Sequence, residues 1–316
     1  MPDTTDHLPG RIRILAAILL LVAAPLHAQA PRTKRDAALE KELALLAGEV
    51  RGTVGIYVRH LESGRSAEFN ADSVFPTASM VKVPILVTLF DRMDRGLLGM
   101  HDTLVYRDSL LYPGEDLLGS VKDSSPVSLD KVAMLMMSMS DNTASLWLQA
   151  LVGGGAGINE WLSAHGFTNT RVNSRTPGRE EARTEFGWGQ TSPREMAELL
   201  VRIREGRAVS PAADQEMYRL LTRPYWTGEA ISQLPPWVHA AVKNGAVDRS
   251  RSEAVLVNAP SGDYVFCVIT KKQEDESWVP ENEGYVLARK LSALLWKRFE
   301  PKHPFTPAPG ASRYQP

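Results

Sequence analysis

A serine at position 79 is followed one helical turn later by Lys82, in the run Ser79-Met80-Val81-Lys82. A serine hydroxyl is a weak nucleophile until a base takes its proton. A lysine kept from water, or set beside other cations, can lose its own proton near neutral pH and act as that base. Side chains three residues apart on a helix share a face, so the two groups can meet. Ser79 follows Phe75-Pro76-Thr77-Ala78 and precedes the apolar run Val81 to Phe90. That places it at a helix N-terminus, where free N–H groups and the helix dipole favour developing negative charge.

Two further polar clusters complete the set. Ser140-Asp141-Asn142 falls between the methionine-rich stretch Leu129 to Met139 and Thr143 to Leu151, both of helical pattern. Its hydroxyl can relay a proton to a leaving nitrogen, and Asn142 can hold a substrate amide. Lys243-Asn244-Gly245 follows the apolar stretch Trp237 to Val242. Lys243 there raises the local positive potential and can anchor a substrate carboxylate. Gly245 lets another backbone come close to the strand. An oxyanion hole needs two backbone N–H groups, and those of Ser79 and Ala246 are the candidates. Taken singly, each cluster reads as a cap, a turn or a strand end. In this order they describe an acyl-transfer site.

The elements that must position these residues follow from periodicity and punctuation. Asp36 to Ala47 reads as a helix with Leu39, Leu43 and Leu46 on one face, ended at Gly48. Thr53 to His60 and Arg65 to Phe69 read as a hairpin about Glu62-Ser63-Gly64. From Phe75 to Arg207 the pattern is mainly helical, with Ser192-Pro193-Arg194-Glu195 marking one helix start. Strand character returns at Val238 to Val242, Glu253 to Val257 and Tyr264 to Ile269, before a helix from Glu283 to Phe299. The expected fold is α/β (α+β). A five-stranded antiparallel sheet is flanked by terminal helices, with an all-helical lobe inserted between strands two and three. The α/β lobe would take residues 31–72 and 211–300, and the helical lobe 73–210. The proline-rich segment 301–316 has little to bury and is expected to be a disordered tail.

At 316 residues the chain can hold one large core or two lobes, and a net charge of −1 gives no reason to expect nucleic acid as partner. Arg11 and Arg13 precede the apolar run Ile14 to Pro25 and the small residues Ala28-Gln29-Ala30, the pattern of a secretory signal over residues 1–30. The run is short for a membrane span, so export without lasting membrane association is expected, to a periplasmic or extracellular location. A single cysteine, Cys267, can make no internal disulfide and lies in an apolar strand pattern, as a buried structural residue would. The scattered histidines lack zinc-ligand spacing, and Gly153-Gly154-Gly155-Ala156-Gly157 lacks the lysine of a phosphate loop. No metal or cofactor is called for.

Across roughly Asp36 to Phe299 the chain resembles class A serine β-lactamases, within the superfamily that also includes penicillin-binding proteins. The likeness rests on Phe75-Pro76 before the serine motif, on Ser140-Asp141-Asn142-Thr143-Ala144, on Lys243-Asn244-Gly245, and on Thr191-Ser192-Pro193 opening the helix after the family's omega loop. It implies Ser79 as acylated nucleophile, Lys82 as its proton partner, Ser140 as proton shuttle, Asn142 as substrate ligand and Lys243 as carboxylate anchor. It further implies a monomer acting on a small β-lactam or related acyl compound. Two departures stand out. Asn244 replaces the usual threonine or serine. In the omega loop, ungapped counting puts Thr176 where the family's water-activating glutamate belongs and Glu180 where an asparagine belongs. Glu180 is therefore the candidate general base for deacylation, with Glu181 and Glu185 as alternatives. The family's arginine near the third motif has no exact counterpart; Arg251 is nearest and Arg249 is the other candidate. The implied activity is β-lactam hydrolysis through an acyl-serine. The alternatives are a D,D-peptidase or esterase, and a penicillin sensor that stays acylated.

Overall fold

Three apolar stretches late in the chain make the middle and one edge of a sheet in the computed structural model, which describes residues 33–114 and 116–316. The expected signal region, residues 1–30, lies outside the described residues. The strands are β1 (Lys34–Arg35), β2 (Thr53–His60), β3 (Arg65–Phe69), β4 (Phe75–Pro76), β5 (Thr103–Val105), β6 (Pro126–Ser128), β7 (Arg171–Val172), β8 (Gly189–Thr191), β9 (Ala240–Val247), β10 (Ser250–Val257) and β11 (Tyr264–Lys271). The main sheet has the order β1-β3-β2-β11-β10-β9. Its five longer strands pair antiparallel, as expected, and a sixth, β1, adds two residues in parallel pairing against Arg65 and Ser66.

The helices are α1 (Ala37–Ala47), α2 (Lys82–Asp94), α3 (Leu129–Met134), α4 (Asn142–Leu151), α5 (Gly154–Ala164), α6 (Glu180–Phe186), α7 (Pro193–Arg204), α8 (Pro211–Leu221) and α9 (Glu283–Phe299). Side chains alternate across a strand, and the two faces of the sheet bury different clusters. Tyr264, Phe266 and Val268 pack with residues of α1 and α9. Val265, Cys267 and Ile269 pack with the helical lobe, where Val83 to Phe90 of α2 are all buried. A helix apolar on every side belongs at the centre of such a lobe. Cys267 is wholly buried, and that burial pushes its thiol pKa up, as suits a structural residue.

The same alternation decides which way the third cluster faces. On β9, Ala241 packs on the helical lobe while Ala240 and Val242 pack toward α9. Lys243 and Gly245 therefore face the helical lobe, and Asn244 faces the α9 side. The apolar pattern predicts a strand end at Val242. The strand instead continues through Val247, because β10 pairs with it residue by residue, Ala254 opposite Lys243 and Glu253 opposite Asn244.

The segment 301–316, expected to be a tail without structure, carries a 3₁₀ turn at Ala311–Tyr314. The His303 carbonyl accepts from the indole Nε1 of Trp296 at 2.7 Å, and Phe305 packs on the α9 cluster. Among the described residues no helix is long and apolar enough to cross a membrane.

Candidate active site

Ser79 sits in a 3₁₀ turn, Ala78–Val81, that runs directly into α2. The residue before it, Ala78, has φ +44, a left-handed conformation that costs a side-chain-bearing residue energy. Lys82, at the first position of α2, is wholly buried. Its Nζ lies 3.0 Å from Ser79 Oγ, 3.0 Å from Ser140 Oγ and 2.9 Å from Asn142 Oδ1, and it also contacts the Ser140 carbonyl. An ammonium carries three N–H donors. Four oxygens within reach leave room for the Ser79 hydroxyl to donate to the lone pair once the lysine is neutral.

Ser140 is delivered by an unusual piece of backbone. After α3 the chain widens into a π-helical turn, Leu135–Met139, and Ser140 then takes φ 62, ψ 28 in the left-handed region. Wide turns of this kind occur often at functional sites. Asp141 is buried and works for the framework. One oxygen caps α4 by accepting from the Ala144 N–H at 2.7 Å, and the other accepts from the Leu117 and Leu118 N–H groups at 2.6 and 3.0 Å. The Ser-Asp-Asn run thus has two side chains on Lys82 and one holding the helix end.

Lys243 approaches from the sheet. Its Nζ donates to Ser140 Oγ at 3.1 Å, to the Asn244 carbonyl at 2.8 Å and to Asn244 Oδ1 at 3.1 Å. Ser140 Oγ is therefore shared by both lysines. Gly245 is needed for a reason nearer home than substrate approach. A Cβ there would lie 2.7 Å from Thr77 O and 2.8 Å from Ser79 N, so β9 could not press against the turn that carries Ser79. Ser79 and Ala246, the residue after Gly245, both line the same cavity, of about 1160 Å³. Ser140, Asn142, Asn244 and Gly245 also line it.

The omega-loop carboxylates lie elsewhere. Glu180 is exposed at the start of α6, where its Oε1 accepts from the Gly178 N–H at 3.1 Å; Glu181 and Glu185 are exposed on the same helix. None of the three is among the residues lining the cavity. Thr176 is buried, but its hydroxyl donates to the Ser174 carbonyl at 2.9 Å and lies against Gly155 of α5. The loop is held to its helical neighbours instead. Gln149 binds the Ser174 carbonyl and hydroxyl at 2.6 and 2.9 Å, and Arg179 spans Asn173 and Gln190. Glu195, in the first turn of α7, accepts from the N–H groups of Thr168, Asn169 and Thr170. Burial pushes that carboxyl up, but these hydrogen bonds outweigh it and bring the pKa below the ordinary value.

Arg251 lines the cavity, but its guanidinium is engaged by neighbouring carbonyls and rings. It donates to the Val247, Ser250 and Ser277 carbonyls and lies 4.4 Å from the Trp278 ring and 4.9 Å from that of Tyr285. Arg249 donates to the Gln273 carbonyl at 3.0 Å and is not a cavity residue. Sequence reasoning missed Gly114, Trp226, Glu229 and Glu253, all lining the cavity, and the returning segment from Pro307 to Pro316. Trp226 donates to the Met139 carbonyl at 3.1 Å and so braces the π turn before Ser140.

This fold and this serine–lysine site define a serine β-lactamase-type enzyme. The family model described as "Beta-lactamase enzyme family" matches residues 38–299, and the chain belongs to that family. Among solved structures it is similar to PBP-A, at 29% identity and TM-score 0.77 over 86% of this chain and 99% of that one. A single-residue variant of PBP-A, described as an acyl-enzyme complex with penicillin-G, matches at 28% identity and TM-score 0.76, covering 86% and 99%. A β-lactamase from Sphaerobacter thermophilus shares the fold at 22% identity and TM-score 0.75, covering 85% of this chain and 100% of its own.

Proposed function

We propose that this protein is an exported serine hydrolase that opens β-lactam rings by acylation of Ser79. The carrying observation is the Lys82 amine, buried and within 3.0 Å of both the Ser79 and Ser140 hydroxyls. In its neutral form Lys82 takes the proton from Ser79 Oγ, which attacks the lactam carbonyl. The N–H groups of Ser79 and Ala246 hold the oxygen that becomes negative. When the C–N bond breaks, Ser140 Oγ gives its proton to the departing nitrogen and recovers one from a neighbouring lysine. Lys243 holds the substrate carboxylate by exchanging one of its present oxygen partners for it. Water then attacks the acyl-serine.

A second reading, a D,D-peptidase-like or penicillin-retaining protein, is favoured by one specific observation. Glu180, Glu181 and Glu185 are exposed and none is among the residues lining the cavity, which supports a slow last step. The likeness to PBP-A structures agrees with this reading. Intact-mass measurement after mixing with penicillin-G separates the two. A Ser79 adduct that clears within seconds supports hydrolysis, and one lasting many minutes supports retention. No adduct at all overturns both. Glu180→Gln tests the expected base, since an unchanged adduct lifetime removes Glu180 from the reaction.

A further inference from the structure

The cavity continues past Ser79 around β9, the edge strand of the sheet, to a pair of glutamates that the chemistry above does not use. Glu253 lies directly opposite Asn244 in the β9–β10 register and is almost wholly buried. One of its oxygens accepts from the Ala230 N–H at 3.0 Å. Glu229, one residue earlier in that loop, faces the same space, and its Oε2 is buried without a close hydrogen-bond partner among the described residues. Asn244 stands between this pair and Lys243. Its Oδ1 accepts from Lys243 Nζ at 3.1 Å, which leaves its NH₂ to donate elsewhere, and the Asn244 side chain favours the charged form of Glu229. Arg289 of α9 also faces both glutamates.

We propose that Glu229 and Glu253, acting through the Asn244 amide, are positioning residues that hold Lys243 against Ser140. The amide takes up one ammonium donor of Lys243 while its own donors are steered by the carboxylates behind it. A threonine or serine at 244 is too short to make both contacts, so the amide and the two acids form one unit. Burial, then the neighbouring Glu229 charge, push the Glu253 carboxyl up to about 8, and burial pushes Glu229 up as well, so the two resist carrying two negative charges together. The charged groups facing that pair are Lys243 from β9 and Arg289 from α9.

The inference rests on acylation of Ser79, and its test separates the two. The second-order rate of adduct formation with penicillin-G is measured by intact mass for the wild type, Asn244→Leu, Lys243→Met and the double variant, with thermal unfolding as a folding check. No adduct in the wild type fails the acylation reading itself. With acylation present, we expect Asn244→Leu to slow the reaction at least tenfold, and to have little further effect once Lys243 is methionine. A loss below twofold, or equal losses in both backgrounds, overturns the proposal. Should Asn244→Leu not fold, Glu229→Gln and Asn244→Thr carry the same cycle. Glu229→Gln is expected to shift the alkaline limb of the acylation pH profile, and an unmoved profile would also overturn it.

Discussion

Ser140 Oγ sits within 3.1 Å of both lysine amines, so one hydroxyl joins the amine beside Ser79 to the amine carried by β9. Replacing it with alanine strips a partner from each buried amine. Removing a hydrogen bond to a charged group costs roughly 1.5–3 kcal/mol, or about 10- to 100-fold in rate if it is made in the transition state. Ser140→Ala is therefore expected to slow penicillin acylation by about that factor while leaving a folded protein, read by adduct formation and circular dichroism. Glu253 gives a pH signature at the same scale. Its folded pKa lies near 8, above its value in the unfolded chain. Between the two values the unfolded chain has released a proton that the folded state still holds, so stability falls as pH rises and levels off above about 8. Glu253→Gln mimics the protonated acid and removes the loss. Its melting temperature should exceed the wild type's by a margin that grows from pH 5 to pH 8, on the order of a few kcal/mol in stability. A margin constant with pH would refute this.

At the scale of elements, the contact between β9 and the Ser79 turn decides whether there is a site at all. Gly245→Ala would put a methyl group within 2.8 Å of the Ser79 nitrogen and force the two apart. We expect acylation to drop by two orders of magnitude or more with a fall of only a few degrees in melting temperature, because the strand remains paired to β10. The elements were legible where one period dominates. The terminal helix Glu283–Phe299 and the strand Thr53–His60 have the bounds their apolar spacing predicts. They were illegible where long-range pairing overrides local pattern. Lys243-Asn244-Gly245 interrupts the apolar run, yet it is strand because β10 lies beside it. Lys34–Arg35 joins the sheet on two residues alone. The serine and lysine motifs could be read because their spacing fixes their geometry within one turn. Glu229 and Glu253 could not, since two distant segments bring them together. Counting along a loop could likewise not foretell that Glu180 turns to its own Gly178.

At the scale of the whole molecule, the last residues fold back over the cavity. Gly228 has Gln315 as a near neighbour, and Pro307, Ala311 and Arg313 line the same space as Ser79. Removing residues 307–316 keeps Phe305 in the α9 cluster and takes away that part of the cavity lining. Acylation by a cephalosporin with a large side chain should then speed up several-fold relative to a small penicillin, and an unchanged ratio would show that the segment does not limit access. The effect is steric and separate from the chemistry at the serine.

The backbone conformations at Ala78 and Ser140 carry a different consequence. Ala78, next to Ser79, and Ser140 itself occupy the left-handed region, where glycine would meet no side-chain clash. The molecule thus gives up folding free energy to hold the hydroxyls of Ser79 and Ser140 where they are. Selection for heat resistance alone would favour glycine at position 78 and with it a looser serine. Durability and turnover would then pull this one residue in opposite directions, and directed evolution for either trait would leave its mark there first.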